Sequence, residues 1–232
     1  MTINSYKADI LAVAPFGLWM ALMFLLPSSS AWAYAVRTVV SAIALIVAWR
    51  YFSKRSNLEN AIGANNRVRF IPVLLWGILA GVLVTVLWIA PEYLSFYRKW
   101  CIIGDVAAPN ELQTSAYDPK NCGWTLTILK VFGSAFIIAP AEELFFRSYL
   151  YRRLQDSSWL EVNRTKFDLS AFLWTTCLFA LEHNRIVAAI LAGVIYLLVY
   201  MRQGFWAAAL AHIVTNFLLA IYVIYEGAWA FW

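Results

Sequence analysis

Residues able to carry out proton chemistry are concentrated in the second half of this chain. Two adjacent carboxylates, Glu142 and Glu143, lie inside an otherwise apolar stretch, and the chain's only two histidines, His183 and His212, belong to later apolar stretches. Ionisable groups are costly at membrane depth, so residues of this kind indicate a functional site. Carboxylate and imidazole together are also the usual groups for moving protons or activating a water molecule.

Helical geometry predicts different roles for the two adjacent glutamates. Glu143 and Arg147 are four residues apart in the acid-first order that favours an ion pair on a helix, whereas Glu142 points about 100° away. We therefore expect Glu143 to be structural and Glu142 to face a cavity. A buried salt-bridge network without chemistry is the alternative. Pro140 either kinks this helix or begins a new helical segment.

Two further pairs of residues have i,i+4 spacing. Phe179 and His183 close one apolar run; a lone histidine at such an end is often an interfacial residue. His212 and Asn216 share a face of the last run. Neutral imidazole and amide groups donate hydrogen bonds without adding charge, which suits an oxyanion site at low dielectric. A polar contact between helices is the alternative for that pair. Glu182 is set aside because neighbouring helical side chains diverge.

The elements that position these residues are predicted to span a membrane. Hydrophobic residues make up 62% of 232 positions and charged residues 13%, against roughly 25% charged in a soluble domain. Seven apolar runs have lengths near those needed to cross a hydrocarbon core of roughly 30 Å. They are approximately 10–26, 31–52, 70–90, 124–154, 169–183, 186–201 and 205–225. We predict an all-α, polytopic transmembrane helix bundle of about seven spans. It forms a single integral membrane domain over residues 1–232, with its motif-bearing catalytic core at about 124–226.

The basic residues predict the orientation in the membrane. They cluster in two loops, which the positive-inside rule assigns to the cytoplasm. The loop residues are Arg50, Lys54, Arg55, Arg67 and Arg69, then Arg152, Arg153, Arg164 and Lys166. Arg202 falls on the same side if all seven runs span the membrane. The N-terminus is then cytoplasmic and the C-terminus lies on the far side. We expect no nucleic-acid partner, because both loops are short and lack interleaved aromatic residues.

The predicted far-side loop, 91–122, holds two of the three cysteines, Cys101 and Cys122. A disulfide would persist in a compartment outside the cytoplasm. Two free thiols near the bilayer surface are an equal alternative, so the pairing stays open.

Three short motifs follow one another in a fixed order on the later apolar runs. They are Glu142-Glu143-x-x-x-Arg147, Phe179-x-x-x-His183 and His212-x-x-x-Asn216. This ordered trio resembles the motifs of the CAAX protease and bacteriocin-processing (CPBP or Abi) family of intramembrane endopeptidases, over about residues 130–220. The Gly204 turn is similar as well, whereas the link 184–185 is shorter than the usual loop. A narrower similarity is to the CAAX-protease-related subgroup that accompanies exosortase protein-sorting systems, although no single residue carries it.

The resemblance implies hydrolysis of a peptide bond inside the bilayer. By analogy, Glu142 with His183 would activate a water. His212 with Asn216 would bind the oxyanion. The supporting residues would be Glu143, Arg147 and Phe179. The expected partners are the lipid bilayer and a membrane-associated protein or peptide substrate, in what looks like a bacterial inner membrane; the oligomeric state is left open.

We expect no cofactor. If zinc were present, Glu142, His183 and His212 would be its ligands, as in a His₂Glu site, but two histidines and an amide are a sparse set. Two other classes of function stay open. One is a non-catalytic membrane immunity or scaffold protein that keeps the motifs as structure. The other is a proton-coupled transporter, which would more often show broken helices in both halves of the chain.

Overall fold

The computed structural model describes residues 3–27, 30–53, 70–102, 108 and 115–232, and all regular structure in that part of the chain is helical. Two short 3₁₀ turns, Ala90–Tyr93 and Trp229–Phe231, accompany the helices. The helices are α1 (Ile3–Leu25), α2 (Ala31–Phe52), α3 (Phe70–Ile89), α4 (Ser95–Cys101), α5 (Pro119–Arg153), α6 (Leu169–Leu181), α7 (Ile186–Gln203) and α8 (Phe205–Glu226).

The predicted polytopic helical bundle is confirmed, and the chain is an integral membrane protein. Six helices of the described chain are long and apolar enough to cross a membrane. The fifth predicted run differs, because α6 has only 13 residues and is about 20 Å long at 1.5 Å per residue. The prediction of about seven spans therefore becomes six full-length helices and one short apolar helix.

One end of the bundle gathers the basic residues. The indole of Trp159 donates to Asp9 at 2.7 Å and its ring lies 6.2 Å from that of Phe52. The Arg164 guanidinium donates to the Met201 carbonyl at the end of α7. The segment between α5 and α6 thus joins the start of α1 and the ends of α2 and α7. We name this the basic end; its described basic residues are Lys7, Arg50, Arg152, Arg153, Arg164, Lys166 and Arg202. The predicted loop residues Lys54, Arg55, Arg67 and Arg69 lie outside the described residues.

The opposite end, here named the far end, is joined by two arginines. Arg37 donates from Nη2 to the carbonyl of Pro27 at 3.1 Å, which ties the start of α2 to the end of α1. Arg185, in the turn between α6 and α7, donates to Glu92 at 2.9 Å and to the Ala230 carbonyl at 3.1 Å. The ends of α3 and α8 therefore meet the α6–α7 turn here.

Glu92 is fully buried and is the centre of a small ion-pair network. Its Oε1 lies 2.9 Å from Nε of Arg185, and its Oε2 lies 2.6 Å from Nη1 of Arg98. The Arg185 guanidinium also lies 4.2 Å from the ring centroid of Phe231. Buried ion pairs are stable only when such additional contacts compensate for lost hydration. The network fixes the turn that carries His183.

The cysteines of the far-side loop are free thiols. Cys101 ends α4 and Cys122 lies in the first turn of α5, and neither forms a disulfide. Of the two alternatives left open by the sequence, the structure has the unpaired one.

Helices α3 and α8 approach each other closely through glycine. A Cβ atom added to Gly81 would lie 2.6 Å from the Ala211 carbonyl oxygen, and one added to Gly77 would lie 2.7 Å from the Leu210 side chain. Small residues four apart allow this close approach between membrane helices. The contact fixes α8, which carries His212.

Because basic residues gather at one end of the bundle, the positive-inside rule predicts that the two ends lie on opposite faces of the membrane. Reporter fusions at Lys54 and Gln113, both outside the described residues, should label the cytoplasmic and non-cytoplasmic compartments respectively. An alkaline phosphatase reporter should be active at Gln113 and inactive at Lys54. A fluorescent protein that folds only in the cytoplasm should be fluorescent at Lys54 and dark at Gln113. Activity of one reporter at both positions would contradict the topology of α3.

Candidate active site

A cavity of about 610 Å³ lies between the helices towards the far end. Five of the seven motif residues line it: Glu142, Phe179, His183, His212 and Asn216. Glu143 and Arg147 lie behind its wall and are almost fully buried. Glu182, which the sequence analysis set aside, also lines the cavity.

Helix α5 presents Glu142 between two widened stretches. Gly133–Ile138 and Glu143–Leu150 are π-helical, and Ala139–Glu142 is a short α-helical segment between them. Pro140 has no backbone N–H and its ring crowds the carbonyl four residues earlier, which favours a widened turn at this point. The helix is continuous, so Pro140 distorts it rather than starting a new one. Such π-helical turns are frequent at functional sites.

His212 lies between the two carboxylates. Its Nδ1 is 2.9 Å from Oε1 of Glu143, and its Nε2 is 3.7 Å from Oε2 of Glu142. Because neighbouring side chains on a helix point in different directions, Glu142 and Glu143 approach opposite nitrogens of the His212 ring. The first distance is a hydrogen bond and the second exceeds one.

The predicted contact between Glu143 and Arg147 is present, with 3.0 Å between Oε1 and Nη1. The Arg147 guanidinium lies 4.3 Å from the ring centroid of Phe179, a cation–π distance. Sequence reasoning missed that Glu143 also accepts from His212. Glu143 therefore orients the imidazole in addition to pairing with Arg147, much as a buried carboxylate fixes the tautomer of a catalytic histidine.

Two residues absent from the motifs support the same imidazole. Tyr196 stacks on His212 with centroids 4.7 Å apart and planes at 23°. Its hydroxyl donates to Thr215 at 2.7 Å, and the Thr215 hydroxyl lies 3.0 Å from the Gly81 carbonyl. The sequence contained one indication of this support. Thr215 lies three residues after His212 and therefore shares its helix face.

His183 and Asn216 face the cavity without contacting Glu142 directly. Nδ1 of His183 is 2.9 Å from the Phe179 carbonyl, so this nitrogen carries the proton and Nε2 of the neutral ring is an acceptor. Asn216 donates from Nδ2 to the Ser134 carbonyl at 2.9 Å, which leaves its second N–H available. Among the described residues, no hydrogen bond or ion pair joins either side chain to Glu142.

A zinc site does not fit the observed arrangement. In the part of the chain that the structure describes, no three His, Cys, Asp or Glu side chains are grouped so that they could hold a metal ion. No hydrogen bond or ion pair between described residues joins His183 to Glu142. We therefore derive no step through a metal.

A comparison with known proteins found a family model that matches the motif-bearing part of the chain. Residues 124–218 match the family model described as type II CAAX prenyl endopeptidase Rce1-like. This region of the chain is Rce1-like. The Rce1-like region covers less than half of the chain and contains all three motifs. Rce1-like proteins are a membrane CAAX protease family, which agrees with the resemblance seen in the sequence. Neither the curated proteins nor the solved structures contain a significant match to the chain.

The buried ion pair predicts a stability difference between two carboxylates of this region. Glu143→Gln leaves the Arg147 guanidinium buried without its charge partner and should lower the free energy of unfolding by about 3–5 kcal/mol. Glu161→Gln removes an exposed carboxylate outside the cavity and should leave it unchanged. Thermal unfolding of both purified variants in the same detergent tests this. Equal melting temperatures would show that Glu143 contributes no more than an exposed carboxylate.

Proposed function

We propose that this protein is an intramembrane endopeptidase that hydrolyses a peptide bond of a membrane-associated protein or peptide. One observation carries the proposal. Oε2 of Glu142 is buried in the cavity wall and has no hydrogen-bond partner among the described residues. A buried unpaired carboxylate oxygen is costly, and it supplies an acceptor for a water molecule or a substrate N–H.

Glu142 is the general base in this proposal. It takes a proton from a water molecule that attacks the scissile carbonyl carbon, and it returns that proton to the departing amine when the C–N bond breaks. His183 is the second group facing the water, since its Nε2 points away from the bond to Phe179 as a free acceptor. Glu142 and His183 line the same cavity, which supports this pairing.

His212 and Asn216 stabilise the oxyanion in the same proposal. Nδ1–H of His212 donates to Glu143, so the ring must also carry a proton on Nε2 to donate to an oxyanion. It then acts as an imidazolium, whereas a neutral donor was expected from the sequence. Asn216 adds its second N–H, oriented by the bond to Ser134. Fixed donors aimed at developing charge in a site of low dielectric are the largest contribution in many hydrolases.

The substrate reaches this site from the non-cytoplasmic side in our proposal. The cavity is lined by Tyr117 and Trp232, which belong to the far end, opposite the basic end. The positive-inside rule assigns the basic end to the cytoplasm, and with it the N-terminus, in a bacterial plasma membrane. Substrates would then be segments that emerge outside the cytoplasm.

Replacing Glu142 should separate an enzyme from a non-catalytic immunity or scaffold protein. Glu142→Gln keeps the side-chain volume and removes the base, so cleavage should fall by about 10²-fold or more with little change in melting temperature. Glu161→Gln is the matched control, an exposed carboxylate outside the cavity that should retain activity.

The measurement is a comparison of membrane-protein termini in cells producing the parent or either variant. Termini that depend on the parent and disappear with Glu142→Gln identify substrates. If Glu142→Gln forms the same termini as the parent, Glu142 is not the base. If no terminus depends on the parent at all, the non-catalytic alternative is favoured.

Removal of metal ions provides a second test of the mechanism. Because the glutamate mechanism needs no metal, we expect substoichiometric zinc in purified protein and full activity after dialysis against a chelator. Elemental analysis and cleavage of an identified substrate check both statements. About one zinc per chain, lost together with activity and restored by zinc, would overturn the metal-independent mechanism and make Glu142, His183 and His212 ligands.

A further inference from the structure

Three basic side chains line the cavity, and one of them, Arg185, is paired with Glu92. The other two are Arg37 of α2 and Lys130 of α5. Neither forms an ion pair within the described part of the chain, whereas Glu143 and Glu92 each do. Positive charges removed from water are costly when unpaired, so a cavity that holds two of them is suited to an anion.

Arg37 is oriented but incompletely satisfied. Its side chain is part of a residue only 3% exposed, and Nη2 donates to the carbonyls of Leu26 and Pro27 at 3.3 and 3.1 Å. Its Nε is buried and has no hydrogen-bond partner among the described residues. The guanidinium is thus held in place by the end of α1 while one donor remains available.

Lys130 lies in an aromatic enclosure rather than beside a carboxylate. Its Nζ is 4.0 Å from the ring centroid of Tyr34, 4.9 Å from that of Tyr117 and 5.7 Å from that of Trp232. Aromatic faces attract an ammonium group but leave its three N–H donors. The enclosure therefore holds the charge in position and leaves it able to bind an anion.

A continuous stripe connects this pair of cations to the candidate active site. Lys130, Ser134, Ile138 and Glu142 follow at intervals of four residues on α5, and all line the cavity. Twelve residues of helix span at most about 18 Å, which an extended polypeptide covers in about five residues. A group bound at Lys130 is therefore about five residues along the substrate from a peptide bond at Glu142.

We propose that Arg37 and Lys130 form a subsite for a carboxylate carried by the substrate, about five residues from the scissile bond. This rests on the proposed function, since it names a substrate group recognised in the same cavity. The carboxylate belongs to the substrate's C-terminus or to an acidic side chain. A lipid phosphate is the other anion that could bind here, and the experiment below distinguishes it from a carboxylate.

Binding to a variant that cannot cleave tests the subsite. Full-length protein with Glu142→Gln is placed in phosphatidylcholine nanodiscs and titrated with fluorescent octapeptides of leucine and alanine. The first peptide ends in a free carboxylate, the second in a carboxamide, and the third in a carboxamide after a terminal glutamate. At least one acidic peptide should bind about tenfold more tightly than the neutral peptide, as expected for a hydrogen bond to a charged group. The acidic peptide that binds more tightly shows whether the carboxylate is a C-terminus or a glutamate side chain. Equal affinity for all three overturns the proposal.

Variants then assign the preference to these cations. Lys130→Met in the same background should abolish the preference and Lys130→Arg should retain it, both with unchanged melting temperature. Lys99→Met, which removes an exposed cation outside the cavity, is the matched control and should behave as the parent. Arg37→Lys keeps the charge and should preserve part of the preference. A preference that survives Lys130→Met overturns the assignment.

A final arm separates lipid from peptide. Nanodiscs containing phosphatidylglycerol should leave the preference for an acidic peptide in place. If anionic lipid binds the site while the three peptides remain indistinguishable, the ligand is a lipid phosphate and the carboxylate assignment is wrong. Because the assay needs no turnover, failure of the peptidase proposal would appear as missing cleavage products with this preference intact.

Discussion

One buried carboxylate connects the helices that form the candidate site. Glu143 of α5 accepts from His212 of α8 and pairs with Arg147, whose guanidinium lies over Phe179 of α6. In a low-dielectric interior each of these contacts is strong, and each is costly to leave half-formed. The same contacts that hold three helices together therefore fix the tautomer of His212 and leave Glu142, one position earlier, free to face the cavity.

The imidazole is held from its other side by packing that begins far from the motifs. Gly81 lets α3 approach α8 so closely that its carbonyl meets Thr215, and Thr215 in turn receives the hydroxyl of Tyr196. The Tyr196 ring covers His212. A glycine in the N-terminal half thus contributes to the position of a histidine in the C-terminal half, although only residues 124–218 match the Rce1-like family model.

The sequence predicted what depends on local periodicity. Apolar runs indicated the helices, and i,i+4 spacing predicted the Glu143–Arg147 contact, because both follow from the geometry of a single helix. It could not predict the bond between Glu143 and His212, or that between Glu92 and Arg185, since these depend on which helices pack together. The π-helical turns beside Pro140 could not be predicted either. A proline in a helical run can distort the helix or begin a new one, and the packing of neighbouring helices decides which.

The short length of α6 has a consequence for the lipid around the protein. Its exposed face carries Leu173, Trp174 and Leu181, but the helix reaches only about 20 Å into a hydrocarbon layer of roughly 30 Å. Because the α6–α7 turn is level with the ends of α3 and α8, the missing length falls at the start of α6, where the adjoining leaflet thins or admits water at a modest cost for each ångström of mismatch. The lipid perturbed by this short helix therefore lies at the basic end of the bundle, on the side away from the cavity.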